Sequence, residues 1–124
     1  MTVETAVGTE QAAIEEAVGH YFTAVSRNDP AELQRAFHPD CVMQSVQDGA
    51  LVQVSQAQWQ QRLAMAGAPA AATRRIESLQ IDGTMAAVKA RATFATFEFV
   101  DRLILLKVDG RWQIVAKAFH RAAR

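Results

Sequence analysis

Three side chains of this 124-residue chain carry groups that could do acid–base or hydrogen-bonding chemistry in an apolar setting: Tyr21, Asp101 and Lys117. Tyr21 is the only tyrosine, and it lies on the apolar stripe of a segment with helical periodicity. Asp101 and Lys117 are single charges inside two strongly apolar segments, where an unpaired charge is costly. A phenol, a carboxylate and an ammonium in one place could hold or transfer a proton. These residues therefore form the candidate catalytic set.

Other kinds of catalytic or cofactor site find no support in the sequence. No pair among His20, His38 and His120 has the spacing typical of a metal site. The single cysteine, Cys41, has no neighbouring base to activate it, and we expect it to be buried. There is no glycine-rich loop that could cradle a phosphate. We therefore expect neither a metal nor a cofactor.

Composition and charge argue against several classes of function. The 13 basic and 13 acidic residues give a formal net charge of zero, and the basic residues are too scattered for a nucleic-acid-binding surface. No apolar stretch approaches the ~18 residues of a membrane span, and the start of the sequence lacks the features of a signal peptide. We expect a frayed tail over residues 1–9 and a single domain over 10–124, in the cytoplasm.

Two apolar segments near the end of the sequence, 99–108 and 111–120, predict a β-hairpin joined at Asp109-Gly110. Both faces of both strands are apolar. A sheet with one face in water would alternate apolar and polar residues, so this pattern indicates that both faces are covered.

The length of the hairpin loop decides which side chains share a face. A three-residue loop closed by Lys107 and Arg111 places Asp101 opposite Lys117 as a partly buried ion pair, and this is the preferred register. A two-residue loop places Asp101 opposite Ala118 instead. A slip of one residue turns every side chain to the other face, so the choice defines the site.

In the preferred register, the face with Asp101 and Lys117 points to the inside of the sheet. The other face combines apolar residues with arginine and tryptophan, as interface cores do. It predicts a homodimer interface made by Arg102, Ile104, Leu106, Trp112 and Ile114. The inner residues predict an apolar pocket for a small flat ligand, lined by Tyr21, Phe37, Met43, Trp59, Phe94, Phe99, Leu103 and Phe119. The alternative is that these residues fill a core.

Three helices are predicted to support these residues. An apolar stripe over 14–25 predicts a first helix with Thr9 as its N-cap. Asp29 and Glu32 predict a second, short helix that begins with a capping box. Ser55 predicts the start of a third helix by the same kind of cap.

Further strands precede the hairpin, and 68–73 is predicted as a connecting loop or a flap. The predicted strands cover 41–46, 51–54, 75–81 and 85–94. The order of elements is ααββαββββ, which indicates an α+β fold rather than alternating βαβ units.

Four stretches within this order carry a family resemblance: residues 37–40 (FHPD), 48–51 (DGAL), 99–107 (FVDRLILLK) and 109–119 (DGRWQIVAKAF). With them, the chain resembles the nuclear transport factor 2-like superfamily over about residues 10–121, and within it the putative lumazine-binding branch. The resemblance implies a cone-shaped fold, with three N-terminal helices packed on a curved mixed or antiparallel sheet and a pocket between them. It also implies dimers formed through the outer sheet face.

The steroid isomerases of this superfamily provide a test of the candidate set. The resemblance implies a tyrosine on the first helix, a catalytic carboxylate on the first strand and a second acid on a later strand. Tyr21 matches the first, and Asp101 matches the last within one residue. Ser45 stands where the carboxylate base belongs, and a serine cannot abstract a carbon-bound proton unaided. Steroid isomerase activity is therefore not expected.

Three functions of different classes remain, because members of the superfamily include enzymes, binding proteins and dimerisation modules. The leading one is a small-molecule-binding protein with an apolar or aromatic pocket. The second is a cofactor-independent isomerase or dehydratase, with Tyr21 as proton donor and Asp101 as acid and base. The third is a homodimerisation module with a filled core, which an empty cavity would argue against.

Overall fold

The computed structural model describes the backbone of residues 3–67 and 70–124, with side chains from residue 8 onward. Residues 68 and 69 of the expected connecting segment lie outside the described residues. The elements are, in order, α1 (Val3–Arg27), α2 (Pro30–Ala36), β1 (Phe37–Gln47), β2 (Ala50–Val54), α3 (Gln56–Met65), β3 (Thr73–Asp82), β4 (Met85–Thr93), β5 (Phe97–Val108) and β6 (Arg111–Ala123). The third helix lies between β2 and β3, so the helices are not all N-terminal.

The first helix begins earlier than the sequence predicts. It extends back to Val3, so residues 3–9 are helical rather than a frayed tail, and Thr9 lies inside the helix. A cap residue expresses only a local preference, and no proline in this segment interrupts a helix that starts before it. The expected apolar stripe is confirmed, since Ile14, Ala17, Val18 and Tyr21 are buried and Phe22 and Val25 are partly buried against the core.

The short second helix begins as expected at Asp29, whose side chain accepts a hydrogen bond from the backbone N–H of Ala31 at 3.1 Å. Glu32 does not complete the capping box that the sequence predicts. Its carboxylate contacts the ring of His20 at 2.6 Å and the guanidinium of Arg35 at 2.8 Å instead. Tertiary contact with α1 has therefore taken the side chain that a local cap would use.

The third helix begins with the predicted capping box, in which Ser55 and Gln58 exchange hydrogen bonds between side chain and backbone. The next residue after the cap, Gln56, is buried and donates to the carbonyl oxygen of Phe37 at 2.9 Å. This bond fixes α3 to the start of β1. The helix thereby stands over the same sheet face as α1.

Six strands form one mixed sheet in the order β2-β1-β6-β5-β4-β3. The central pair β1 and β6 is parallel, and all other neighbours are antiparallel. β1 begins at Phe37 rather than at the predicted Cys41, so His38 and Pro39 belong to the strand. The result is the expected α+β class, with helices on one face of the sheet.

The β5–β6 hairpin differs from both predicted registers. Asp109 and Gly110 have φ of 50° and 77° and form a two-residue turn, so Val108 pairs with Arg111. Two consecutive residues at positive φ match a primed turn, whose twist fits a hairpin, and Asp-Gly is a favoured sequence for it. The preferred three-residue loop is therefore wrong, and the alternative loop is right.

A β-bulge then shifts the pairing by one residue. Leu105 pairs with Ile114, but the residue before it on β5, Ile104, pairs with Ala116. Beyond the bulge Asp101 lies opposite Phe119, and Lys117 lies opposite Leu103. Neither predicted partner of Asp101, Lys117 or Ala118, is correct. Because the bulge adds one residue, Asp101 and Lys117 still point to the same face, as diagonal neighbours.

The two-residue turn also changes the expected dimer face. Between the turn and the bulge, Trp112 and Ile114 point inward and are only 4% and 0% exposed, so their assignment to the outer face is wrong. The indole N–H of Trp112 donates to Glu10 of α1. Ile104 and Leu106 do lie on the outer face, where they are 36% and 37% exposed. Among the described residues, no helix is long and apolar enough to cross a bilayer.

Candidate functional site

A cavity of about 260 Å³ lies between the helices and the inner face of the sheet. Its walls come from α1, α3 and every strand of the sheet: Tyr21, Val25, Met43, Val54, Trp59, Arg62, Arg74, Ala92, Phe94, Phe99, Asp101, Lys117 and Phe119. Six of the eight expected pocket residues are among them. Phe37 and Leu103 are not, because both are completely buried in the core.

Tyr21 and Asp101 form the most buried polar contact of the cavity wall. The phenol of Tyr21 donates a hydrogen bond of 2.5 Å to Oδ2 of Asp101. Asp101 is only 4% exposed, and its second oxygen, Oδ1, has no hydrogen-bond partner among the described residues. A buried carboxylate oxygen normally has a partner, so this oxygen is an acceptor that the described residues leave unsatisfied.

The environment keeps Tyr21 protonated. Burial, followed by the charge of Asp101 and the hydrogen bond to it, raises the pKa of the Tyr21 phenol well above its ordinary value of 10.0. The positive charge of Arg74 opposes this shift. Tyr21 is therefore a neutral donor at physiological pH.

Lys117 does not form the predicted ion pair with Asp101. Its ammonium lies over three aromatic rings, 4.2 Å from the centre of Trp59, 4.8 Å from Tyr21 and 5.0 Å from Phe119. Burial lowers the pKa of Lys117, while the charges of Asp101 and Cys41 act in the opposite direction. The ring faces partly replace the carboxylate partner, since aromatic quadrupoles attract cations.

Aromatic side chains hold this arrangement from both sides. Phe37 lies behind the cavity wall and contacts Tyr21 and Trp59 edge to face, with ring centres 5.3 Å apart in both cases. On the other side, Phe99 contacts Phe119 at 6.2 Å. Edge-to-face pairs have a preferred geometry, so Phe37 positions the wall even though it does not line it.

Two arginines complete the lining. Arg74 on β3 is half-buried, and its guanidinium lies 5.8 Å from the ring centre of Phe94. Burial lowers the pKa of Arg74. Arg62 on α3 is exposed and marks the open side of the cavity. Neither guanidinium forms a hydrogen bond or an ion pair with any described residue.

The remaining candidates have structural roles. Ser45 donates to the carbonyl oxygen of Phe119 at 2.7 Å, and it does not line the cavity. Burial raises the pKa of the Cys41 thiol to about 11. His38 accepts from the backbone of Asp40 at 3.1 Å, and His120 is exposed. Within residues 3–67 and 70–124 there is no cluster of three or more side chains suited to a metal ion.

A second, larger hollow of about 410 Å³ lies between α1 and the turn of the β5–β6 hairpin. Its polar groups already have partners within the chain. His20 and Arg35 contact Glu32, and Arg111 donates to the carbonyl oxygens of Gln34 and Arg35 at 3.2 and 2.8 Å. The smaller cavity, with its free carboxylate oxygen, is therefore the candidate site.

Comparison with known families identifies the family to which the chain belongs. A family model described as putative lumazine-binding matches residues 9–120, nearly the whole chain. The chain belongs to the putative lumazine-binding family. Its fold is nuclear transport factor 2-like, with helices on a curved mixed sheet of six strands. No curated protein sequence matches the chain significantly.

Solved structures similar to this member of the putative lumazine-binding family share nearly its full length. An NTF2-like protein of unknown function from Shewanella baltica has 25% identity and a TM-score of 0.85, covering 98% of this chain and 97% of that one. One from Methylobacillus flagellatus has 28% identity and a TM-score of 0.80, covering 99% and 96%. A ketosteroid isomerase-like protein from Erwinia carotovora atroseptica, at 16% identity and a TM-score of 0.70, covers 89% and 94% and shows likeness of fold alone.

The two arginines of the site, Arg62 and Arg74, were not among the residues predicted from the sequence. An alternating strand pattern does place Arg74 on the same face of β3 as Ile76, and this signal was available. The position of Arg62 depends on how α3 sits over the sheet, which no local pattern reveals. Membership of the putative lumazine-binding family does not by itself identify Arg62 and Arg74 as site residues either.

Proposed function

We propose that the protein binds a small, flat, apolar or aromatic molecule in the cavity beside Tyr21. The single observation that supports this most is Oδ1 of Asp101, a buried acceptor that has no hydrogen-bond partner within the described part of the chain. An unsatisfied buried acceptor costs about 1–3 kcal/mol. A ligand that donates a hydrogen bond to it recovers that free energy, while the aromatic walls bind the apolar part of the same ligand.

The volume of the cavity limits the size of the ligand. An apolar cavity of about 150 Å³ admits benzene, and typical ligand pockets begin at about 300 Å³. The 260 Å³ available here suits one substituted ring or a compact fused pair, and not the four fused rings of a steroid. Lumazine, named in the description of the family, is a flat fused pair with N–H donors and therefore belongs among the ligands to test.

Tryptophan fluorescence provides a direct binding test, because Trp59 lies in the wall. The only other tryptophan, Trp112, is replaced by phenylalanine so that Trp59 alone reports. Phenol, benzyl alcohol and lumazine are titrated into this protein, its Asp101→Asn variant and, as a control, its Glu98→Gln variant. Glu98 lies on the opposite face of the same strand and contacts Arg91 at 2.6 Å.

We expect saturable quenching by at least one of these ligands. The asparagine side chain of the Asp101→Asn variant presents an N–H group in place of one carboxylate oxygen, so we expect this variant to bind donor ligands roughly tenfold more weakly. Glu98→Gln should leave binding unchanged. Absence of saturable quenching by all three ligands, or equal binding by the wild type and Asp101→Asn, would contradict the proposal.

A second candidate is a cofactor-independent isomerase or dehydratase, which the short Tyr21–Asp101 hydrogen bond favours. In that reaction Asp101 would take a proton from a carbon next to a carbonyl group, while Tyr21 would donate to the carbonyl oxygen. Without ligand, however, the Tyr21 proton is directed at Asp101. A substrate oxygen would have to displace that bond, which makes simple binding the better-supported function.

Proton exchange separates binding from catalysis. Cyclohexenone in deuterated buffer is incubated with the wild type, with Asp101→Asn and with Lys117→Met, and exchange next to the carbonyl is followed by NMR. If the wild type promotes exchange faster than buffer alone and Asp101→Asn does not, the result would support catalysis by Tyr21 and Asp101. Exchange that survives Asp101→Asn would remove Asp101 from the mechanism, and the same result with Lys117→Met would remove Lys117.

We also propose that the protein is a homodimer associated through the outer sheet face. The pairing aligns Val42, Ala116, Ile104 and Ala87 in one row across four neighbouring strands. Val42 is 40% exposed and Ile104 36%, so the row is an apolar strip that water would otherwise cover. The third function, a dimerisation module with a filled core, is less well supported because the cavity is open.

A further inference from the structure

The cavity is lined by more positive than negative charge. Among the described residues, Arg62, Arg74 and Lys117 line it, and Asp101 is the only acidic one that does. None of the three cations lies within ion-pair distance of a carboxylate of the described residues. Lys117 interacts with aromatic rings, and Arg74 lies beside one ring. This surplus of positive charge indicates which kind of ligand the cavity binds. The inference therefore rests on the binding function proposed above.

Elsewhere the protein pairs its partly buried cations. Lys107 contacts Glu10 at 2.6 Å, and Arg91 contacts Glu77 at 2.9 Å and Glu98 at 2.6 Å. The cations outside the cavity that do lack a carboxylate, such as Arg102, are exposed and solvated by bulk water. A half-buried guanidinium such as that of Arg74 loses solvation without gaining a partner. The site therefore lacks a negative group that a ligand could supply.

The strand register places Arg74 one row of residues away from Asp101 along the sheet. Arg74 pairs with Ala92, which pairs with Phe99, and all three line the cavity. Asp101 lies two residues beyond Phe99 on the same face of β5, in the next row. Arg62 is the exposed member of the lining. The arginines thus stand toward the open end, with the buried carboxylate oxygen further in.

We propose that the ligand is an aromatic acid, bound with its carboxylate at Arg74 and Arg62. Its ring lies among Phe94, Phe99 and Phe119. A hydroxyl or amine at the opposite end donates to Oδ1 of Asp101. A guanidinium fork matches the two oxygens of a carboxylate, which a point charge does not do. The volume of 260 Å³ accommodates one such ring with a group at each end.

Matched ligands isolate the contribution of the acid group. Calorimetric titrations compare 4-hydroxybenzoate with its neutral isostere 4-hydroxybenzamide, and phenyl phosphate serves as the other anion. Each is titrated into the wild type, Arg74→Gln and Arg75→Gln. Arg75 is the control, because it is the next residue on β3 but points outward and contacts Glu77 at 3.3 Å. Arg62→Gln, at an exposed helix position, is a second variant should Arg74→Gln fold poorly.

We expect the acid to bind roughly tenfold or more tightly than the amide, as charge-assisted hydrogen bonds require. Arg74→Gln should reduce this ratio to near one, Arg62→Gln should reduce it in part, and Arg75→Gln should leave it unchanged. Added salt should weaken the binding of the acid and leave the binding of the amide unchanged.

The alternative outcomes separate this inference from the function on which it rests. Equal binding of acid and amide, or a ratio unaffected by Arg74→Gln and Arg62→Gln, would overturn the aromatic-acid assignment and leave binding of a neutral ligand intact. Tighter binding of phenyl phosphate than of the acid would overturn the carboxylate in favour of a phosphate ester. Failure of all these ligands and of phenol, benzyl alcohol and lumazine to bind would contradict both proposals.

Discussion

Asp101 has a strong donor on one oxygen and no hydrogen-bond partner among the described residues on the other. A carboxylate kept for stability alone would have both oxygens satisfied, since each missing partner costs about 1–3 kcal/mol. Here Tyr21 satisfies Oδ2, and Oδ1 has no hydrogen-bond partner among the described residues. At this scale the protein gives up stability at a position where a ligand can restore it, as binding sites commonly do.

Removal of the Tyr21 hydroxyl should reveal this cost. Tyr21→Phe leaves both oxygens of Asp101 without a partner, so we expect the free energy of unfolding to fall by about 1–3 kcal/mol in urea titrations. The double variant Tyr21→Phe/Asp101→Leu should be less destabilised than the sum of the two single variants, because no buried polar group is then left unpaired. Strictly additive effects would show that the hydrogen bond contributes nothing.

The same tyrosine predicts the behaviour of the protein at high pH. Because the folded state raises the pKa of Tyr21 above 10.0, the unfolded chain ionises first. The stability that Tyr21 contributes is complete below pH about 10 and is lost as the pH rises from there toward the folded pKa. Tyr21 is the only tyrosine, so tyrosinate absorbance reports it alone. We expect a native midpoint above 10 and a midpoint near 10 in urea; equal midpoints would contradict the burial argument.

At the scale of elements, α1 is fixed to the β5–β6 hairpin by one carboxylate. Glu10 accepts from the ammonium of Lys107 at 2.6 Å and from the indole N–H of Trp112. These two residues lie opposite each other in the hairpin. The contact therefore joins the first helix to both strands that carry Asp101 and Lys117. It depends on Trp112 pointing inward, which the bulge makes compatible with the inward direction of Lys117.

Acid titration should show this contact. The hydrogen bonds from Lys107 and Trp112 lower the pKa of Glu10 from 4.5 in the folded state. Its contribution to stability is therefore present above pH about 4.5 and is lost as the pH falls through the folded pKa. Glu10→Gln should flatten the decline of stability between neutral and acid pH. The control is Glu15→Gln on the same helix, an exposed residue that contacts only Gln11; an equal effect of both variants would contradict a specific contact.

At the scale of the whole molecule, both faces of the sheet have apolar residues, but they serve different purposes. The inner face carries the core and the cavity. The outer face carries the apolar strip that includes Ile104, with Leu106 also exposed on the same face. Apolar area left exposed in this way is typical of a surface that associates with another molecule.

The proposed dimer can be tested by one charge in that strip. Sedimentation or light scattering should give twice the chain mass of 13.6 kDa for the wild type and the single mass for Ile104→Glu. Burying an unpaired carboxylate in an apolar interface is strongly unfavourable. Met65→Glu is the control, because Met65 on α3 is 86% exposed and lies away from the outer face. A monomeric wild type, or a dimeric Ile104→Glu variant, would contradict the proposal.

The sequence alone was sufficient for the fold class and for the main members of the site. Periodicity reports which face of an element is buried, so the stripe of α1 identified Tyr21 and the apolar segments identified Asp101 and Lys117. Cap chemistry predicted the starts of α2 and α3 because it depends on only a few consecutive residues. These features are local, and local preferences can be read without knowledge of the neighbours.

Only the tertiary structure decided what these residues contact. The bulge between Ile104 and Leu105 follows from how two strands fit together, and it keeps Lys117 on the inner face. The two-residue turn places Trp112 and Ile114 in the core rather than on the expected dimer face. Asp101 bonds to a helix residue 80 positions away, and Lys117 lies over rings from three separate elements. The positions of Arg62 and Arg74 around the cavity likewise depend on the docking of α3 and β3. Contacts between distant segments arise from the combined shape of all elements, and no local pattern encodes them.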